Sequence, residues 1–458
     1  MTRIAVVAPR GALRAALIRL ADAGCVEFDT PDGNGNGEAG HRLRRLSTAG
    51  KPAALLFTGT PDLAAWERDG RAGLLAGEVQ LARHTAVASI EGEIAAIAGW
   101  TPQAQLPVLQ DLLRPLGATA VALPRPRGID PPTMLPATPR HTAFAPLIDT
   151  YTTVPYADID PTLLAGLAYV VLFGAMFGDV GHGLLLVAIA LLIRRGRPRR
   201  LAGLRPHWLF VASAGAAATV FGLLYGEAFG PTGLVPTLWL APMEQPVVLL
   251  TAGMALGAVL LAGAYALGTV NRVREGGWAL ALYAPSGLAG CLLFLATALA
   301  GLSWWQHWPW VGATAAALAT VALILAYIGL LVSAGGKAAG ATQAAVELFD
   351  MVIRLGANLL SFARLAAFGI THAALGWIVW TATAALTGRG ALAVAGAVLV
   401  FVIGNALAFG LEALVAGVQA LRLEYYELFS KIFQLEGRPF RPWHLPATEH
   451  LVPTATEE

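Results

Sequence analysis

The residues with chemistry to offer lie in the most apolar part of the chain. Arg364 stands inside Ser361-Phe-Ala-Arg-Leu-Ala-Ala-Phe-Gly-Ile-Thr-His372, within an apolar stretch that runs on to Leu386. A guanidinium keeps its proton in a protein, and a permanent charge at membrane depth is costly enough to be a site hypothesis by default. Asp350, Asn358, Thr371 and His372 are the other polar positions of this stretch. Taken as one helix at about 100° per residue, it sets Thr371 about 20°, Asp350 about 40° and His372 about 80° from Arg364. A second polar series, Glu412, Gln419, Arg422, Glu424 and Glu427, follows in the next apolar segment, with Glu412 and Gln419 nearly aligned at i, i+7. Two such helices facing each other can line a hydrated path for protons or small cations. The plainer roles are also open: Asn, Thr and Gln tie membrane helices together, Arg422 and Glu427 can snorkel to an interface, and Asp350 suits a helix start.

A third cluster lies earlier. Phe173-Gly-Ala-Met-Phe-Gly-Asp-Val-Gly-His-Gly183 sets Asp179 and His182 among Gly178, Gly181 and Gly183. Glycines at this density let helices approach closely or let the backbone reverse. The Asp/His pair at i, i+3 can relay protons or simply build a helix junction. A metal wants a third ligand that the sequence does not offer nearby, so neither metal nor cofactor is expected. Gly33, Gly35 and Gly37 are followed by no helix carrying Lys-Ser/Thr, and Gly50-Lys51 runs into Pro52. Without a phosphate cradle, the chain is expected to be no enzyme and not to hydrolyse ATP by itself. Cys25 and Cys291 have neither metal-ligand spacing nor a disulfide framework.

The elements that must position these residues follow from composition. With 56% hydrophobic and 13% charged residues and a mean hydropathy of +0.62, this is a polytopic membrane protein. A net charge of +2 offers no field for nucleic acid. Residues 1–150 read as a cytoplasmic α/β domain of two small units: strands 4–8 and 25–28 with helix 11–23, then strands 93–98 and 118–123 with helix 102–116. The first apolar run is too short for a signal peptide and Pro9 interrupts it. From residue 151 the reading is a membrane domain of eight helices, 163–177, 181–193, 208–229, 247–270, 278–302, 310–332, 346–386 and 392–433. The first two are short against the roughly 20 residues of a span. The last two, at 41 and 42 residues, would each be about 60 Å long and must tilt or project.

Basic residues concentrate in 194–207, in Asn271-Arg-Val-Arg-Glu275 and at Lys337, whereas the alternate loops hold Arg389 and the tryptophans Trp304, Trp305, Trp308 and Trp310. The positive-inside rule then puts both termini in the cytoplasm and the tryptophan belt opposite.

Four motifs between Phe173 and Phe433 carry a resemblance: the Phe173–Gly183 run, Phe221-Gly-Leu-Leu-Tyr-Gly-Glu-Ala-Phe-Gly230, Ser361–His372, and Leu421-Arg-Leu-Glu-Tyr-Tyr-Glu427 with Ser430-Lys-Ile-Phe. In this order they resemble the membrane stator subunit of rotary V/A-type ATPases, subunit I in prokaryotes and subunit a in eukaryotes. Ile4-Ala-Val-Val-Ala-Pro9 is similar to that family's start. The resemblance implies ion transport, H⁺ or Na⁺, against a ring of proteolipid subunits in the cell membrane. It makes Arg364 the arginine that deprotonates the ring carboxylate, Arg422 the second arginine, Glu412 an acidic channel residue near the non-cytoplasmic side, His372 a histidine one to two turns beyond the arginine and part of the ion path, and Asp350 an acid on the cytoplasmic side. Glu427, Gln419 and Asn358 complete the candidate ion path, and Gly178, Asp179, Gly181, His182, Gly183 and Glu227 the structural motif. Implied partners are the proteolipid ring, a central-stalk cap subunit, peripheral stalks and the lipid bilayer. The family usually carries a longer cytoplasmic domain with coiled-coil arms. Here the segment between the two α/β units is too short for them, so a compact variant with altered stalk contacts is expected. Two other classes use the same polar residues: a stand-alone transporter or channel, and a structural assembly paralogue.

Overall fold

The computed structural model describes residues 1–29, 38–39, 42, 61–126, 128–135, 138–196, 199–335, 338–387 and 390–444. Gly33, Gly35, Gly37, Gly50, Lys51, Lys337 and Arg389 lie outside the described residues. The chain forms two compact units, Met1–Met134 with Gly437–Glu458, and Leu135–Glu436. The boundary thus falls earlier than residue 150, and the chain from Gly437 belongs to the first unit.

In the first unit, β1 (Thr2–Pro9) buries Ile4, Val6 and Ala8 on one face, the alternation of a half-buried strand. α1 (Leu13–Ala23) buries Leu13, Ala16, Leu17 and Leu20 in the same core and ends at Gly24 in the left-handed region. The two small α/β units expected from sequence share one antiparallel sheet of order β2-β4-β1-β5. It comprises β2 (Glu27–Phe28), β3 (Ser89–Glu91, also on β4), β4 (Ile94–Thr101) and β5 (Thr119–Ala122). The joining register sets Val6 opposite both Ile97 and Ala120. α2 (Leu63–Arg68) and α3 (Ala72–Val87) fill what reads as a polar joining segment, and α4 (Leu106–Leu113) is shorter than the expected 102–116. Trp443 closes the unit, its backbone N–H donating to Val26 O at 2.8 Å and its ring centroid 4.3 Å from that of His84.

The second unit is the polytopic helical membrane domain. After α5 (Pro139–Asp149) come α6 (Thr162–Met176), α7 (Val180–Arg195), α8 (Trp208–Tyr225), α9 (Pro246–Tyr283), α10 (Leu288–Gln306), α11 (Pro309–Ser333), α12 (Ala338–Ser361), α13 (Ala363–Leu386) and α14 (Ala391–Leu423). Among the described residues six helical segments are long and apolar enough to cross a membrane, the last two being 339–386 and 391–432. α6 and α7, at 15 and 16 residues, reach only about 24 Å each. They are a hairpin: α6 packs alongside α8 with Tyr169 against Phe210 and Gly174 against Ala217, and α7 returns with Arg194 over Trp208.

Two helix boundaries differ from the sequence reading. Asn271 to Glu275 is no loop: α9 runs through it to a break at Gly277 (φ 75°, ψ −170°), and the chain turns again at 284–287. Its polar side chains are internal partners, with Asn271 Oδ1 accepting from Ile159 N at 3.1 Å and Arg272 pairing with Glu275 at 2.7 Å and donating to Gln434 at 2.8 Å. The expected helix 346–386 is broken at Phe362, where Phe362 N bonds Leu359 O and Leu365 N bonds Phe362 O, a three-residue spacing that tightens one turn. The Phe362 side chain is fully buried in a notch at Gly257 of α9, where a Cβ would fall 2.2 Å from its ring.

Candidate functional site

The α6–α7 reversal is held by Asp179. Its Oδ1 accepts the His182 N–H at 2.8 Å, capping α7, and its Oδ2 accepts the Gly230 N–H at 3.0 Å. Close approach is what the surrounding glycines provide: none of Gly178, Gly181 and Gly183 adopts a positive φ. Gly222 lets the reversal press on α8, since a Cβ there would lie 2.4 Å from Val180 N, and Gly181 admits the Phe229 ring at the same distance. Gly178 and Gly183 face Tyr225 and Thr219. Phe229 itself sits in the left-handed region at φ 55°, a conformation that side chains other than glycine rarely adopt.

This reversal carries His182 to α13. The His182 and His372 ring centroids are 5.7 Å apart at 73°. Phe177 lies 5.7 Å from the first and 5.1 Å from the second, and Phe229 and Phe409 flank His182 at 5.3 and 5.7 Å. On its other side His372 Nδ1 pairs with Glu412 Oε2 of α14. His182, Glu227, His372, Asn405 and Glu412 are all less than 9% exposed and Asp179 is fully buried. The Glu412 Oε1 has no hydrogen-bond partner among the described residues. The result is a dry-walled cluster of two imidazoles and three carboxyls from α7, α13, α14 and the segment after α8.

Arg364 occupies a different setting. It is the second residue of α13, just past the Phe362 break, half-buried, and its Nη1 has no hydrogen-bond partner among the described residues. Its charged neighbours are Arg422 and Glu427. Glu427 reaches inward because α14 widens into a π-helical turn at Glu424–Phe429. With the Asn358 amide nitrogen as donor, Asn358 donates to Glu427 Oε2 at 2.9 Å and to Arg354 O at 3.1 Å, and its oxygen accepts from Lys431 Nζ at 3.1 Å. Around Glu427 stand Arg364, Arg422 and Lys431, so cations outnumber the carboxylate. Gln419, one helical turn from Arg422, is half-buried with its oxygen unpartnered among the described residues. Two of the helices that carry this group, α12 and α14, also expose apolar side chains, among them Leu360, Leu414 and Val418.

The sequence-read residues thus fall into two sets. Asp179, His182, Glu227, His372 and Glu412 converge, and Arg364, Arg422, Glu427 and Asn358 converge, with Gln419 one helical turn from Arg422. Asp350 joins neither: it is exposed and pairs with Arg354 one turn on at 2.6 Å, and Thr371 is exposed and bonds its own helix at Ala367 O. Lys431 and Asn405 were not singled out as site residues. Lys431 carries a signal in its i, i+4 spacing from Glu427; Asn405 is reached only through the tertiary fold.

The chain was compared with known proteins. Residues 85–201, from β4's approach through α7, match the model of the V-type ATPase 116 kDa subunit family. The A-type ATP synthase subunit I of Aeropyrum pernix is 27% identical over 362 residues, covering 65% of this chain and 49% of that protein. The A-type ATP synthase subunit I of Pyrococcus horikoshii is 28% identical over 311 residues, with coverages of 66% and 45%. The V-type ATP synthase subunit I 2 of Treponema pallidum is 32% identical over 177 residues, with coverages of 36% and 37%. The chain spans about half the length of the first two of these curated relatives.

Proposed function

Because the chain belongs to the V/A-type ATPase subunit I family, we propose that it is the ion-translocating stator of a rotary ATPase. In this reading its partner is a ring of proteolipid subunits that carry membrane carboxylates, and the ion is H⁺ or Na⁺. The observation that carries it is the setting of Arg364: a half-buried guanidinium with an Nη1 unpartnered among the described residues, with Arg422 and Glu427 as its charged neighbours. A group so placed asks for negative charge from outside the chain. A carboxylate brought beside it is held ionised, because the nearby positive charge favours its charged form, whereas the same carboxyl facing lipid keeps its proton. Rotation past Arg364 then converts position into protonation state.

The two convergent sets serve as the two access routes. Glu412, His372, His182, Asp179 and Glu227 exchange ions with the non-cytoplasmic side, and Glu427, Asn358 and Gln419 with the cytoplasmic side, where Asp350 stands outside both sets as an exposed acid paired with Arg354. Along α13, Arg364 and His372 are eight residues and about 12 Å apart, so the guanidinium stands between the routes and blocks a direct leak. Arg422 adds positive charge to the same barrier. In this reading, which the positive-inside rule favours, the first unit lies on the cytoplasmic side, facing the central-stalk cap subunit and peripheral stalks. ATP hydrolysis or synthesis belongs to other subunits.

The test is Arg364→Ala in a reconstituted complex. ATP-driven ion pumping is expected to fall to background while the complex stays assembled. Pumping retained at the wild-type rate overturns the reading. Flux through the purified chain in vesicles with no ring present would favour a stand-alone transporter instead.

A further inference from the structure

The buried imidazoles of the membrane unit are arranged as metal ligands. Asp179, His182 and His372 each offer one ligand atom, and these atoms all lie within 4.8 Å of one another. The third ligand, missing from the sequence around Asp179, comes from α13. His182 is 2% exposed, yet neither of its ring nitrogens has a hydrogen-bond partner among the described residues. Its Nδ1 comes no closer than 3.8 Å to Asp179 Oδ1. A buried polar atom in a native fold is normally paired, and a cation would complete both the ring and the carboxylate.

The neighbours are placed as such a site requires. His372 Nδ1 faces Glu412 Oε2, the carboxylate–imidazole arrangement that fixes ring orientation and leaves the Nε2 lone pair for a metal. The two Asp179 oxygens are held by backbone N–H groups, which orient the carboxylate while sparing further lone pairs. A cavity of about 90 Å³, lined by His372, Glu412, Thr371 and Leu411 among others, adjoins the cluster. Thr371 and Leu411 are exposed, so the cavity, mostly apolar in its walls, opens from His372 and Glu412 to the surface. Two imidazoles and one carboxylate with a fourth position open make a donor set suited to Zn²⁺. Calcium wants six or more oxygens and magnesium an octahedral oxygen shell.

We propose that Asp179, His182 and His372, with Glu412 holding His372 from behind, bind one divalent cation of the zinc class, and that its occupancy closes this cluster to ion passage. The binding rests on geometry alone; the closure rests on the reading of the cluster as an access route.

The experiment uses the full chain in lipid nanodiscs, titrated with Zn²⁺ against a chromophoric chelator. One Zn²⁺ per chain is expected, with zinc-edge X-ray absorption showing two imidazole scatterers. His182→Gln is expected to weaken binding at least about tenfold, as is Asp179→Asn, whose Oδ1 can still cap α7 while its amide nitrogen gives up the bond from Gly230 N–H. Zn²⁺ is expected to raise the thermal midpoint of wild type but of neither variant, and equal midpoints without metal certify that the variants fold. Equal affinity in wild type and both variants, or a zinc spectrum without imidazole, overturns the site. In the reconstituted complex, Zn²⁺ is expected to inhibit pumping reversibly on adding chelator. Stoichiometric imidazole-bound Zn²⁺ with undiminished pumping upholds the site and overturns the closure.

Discussion

Arg364 and His372 share one helix about 12 Å apart, yet their surroundings differ in kind. His372 is sealed: 5% exposed, paired with Glu412, ringed by Phe177, His182 and Asp179. Arg364 is open: half-buried, beside Arg422, with its Nη1 unpartnered among the described residues. The first cluster pairs His372 with Glu412 and ties Asp179 to two backbone N–H groups within the chain. The second holds an excess of cations that only a carboxylate from elsewhere can balance. An internal pair should therefore report mainly on stability when broken, and an unpartnered charge mainly on function.

The sharpest break of that contrast is the pair of variants Arg364→Ala and Glu412→Ala. Arg364→Ala is expected to abolish pumping while moving stability by less than about 0.5 kcal/mol, the range of substitutions that remove no internal partner. Glu412→Ala is expected to cost about 3–5 kcal/mol, since it strands a buried partner, and Glu412→Gln substantially less. Thermal unfolding in detergent, followed by tryptophan fluorescence, reads both. A large destabilisation by Arg364→Ala would mean that its partner lies within the chain, and the contrast would collapse.

A smaller effect tests the open cluster from its other side. Glu427→Gln keeps the hydrogen bond from Asn358 but removes the charge that faces Arg364 and Lys431. Pumping is expected to drop several-fold, about 1 kcal/mol in barrier terms, without the total loss of Arg364→Ala. An unchanged rate would leave Glu427 as a structural partner of Asn358.

How far these clusters were legible in sequence follows from the range of the interactions that build them. Long apolar runs mark the spans, because backbone in lipid must satisfy itself within a helix. Leu13, Ala16, Leu17 and Leu20 announce the buried face of α1 by spacing alone. The Phe362 break carries no such mark, since its cause is a glycine notch at Gly257, over a hundred residues away. Asn271 to Glu275 reads as a loop by charge, but the segment is helical, and Asn271 and Arg272 are buried against Ile159, Ile432 and Gln434. For the same reason His372 could not be assigned to Asp179 and His182: the hairpin, Gly222 and Phe229 bring them together. The single sheet of the first unit likewise depends on β1 pairing with strands about ninety or more residues on.

Asp158 offers the finest test, because it stands between the two kinds of ion setting. It is 7% exposed with both oxygens unpartnered among the described residues, beside Glu275 and the buried Arg272. Burial pushes its carboxyl up to about 7; Glu275 adds to the rise, and Arg272 and Arg274 oppose it. The folded chain thus keeps a proton that the unfolded chain releases near the ordinary value of 3.8. Stability from this group is complete below that value and is lost as pH rises through about 7. Asp158→Asn, with no proton to lose, is expected to match wild type at about pH 4 and to exceed it by on the order of 1–2 kcal/mol at about pH 8.5. The slope of thermal midpoint against pH between those values reads this directly. A slope unchanged by the substitution would show that Arg272 already compensates Asp158 as Glu412 compensates His372, and would move this cluster to the sealed class.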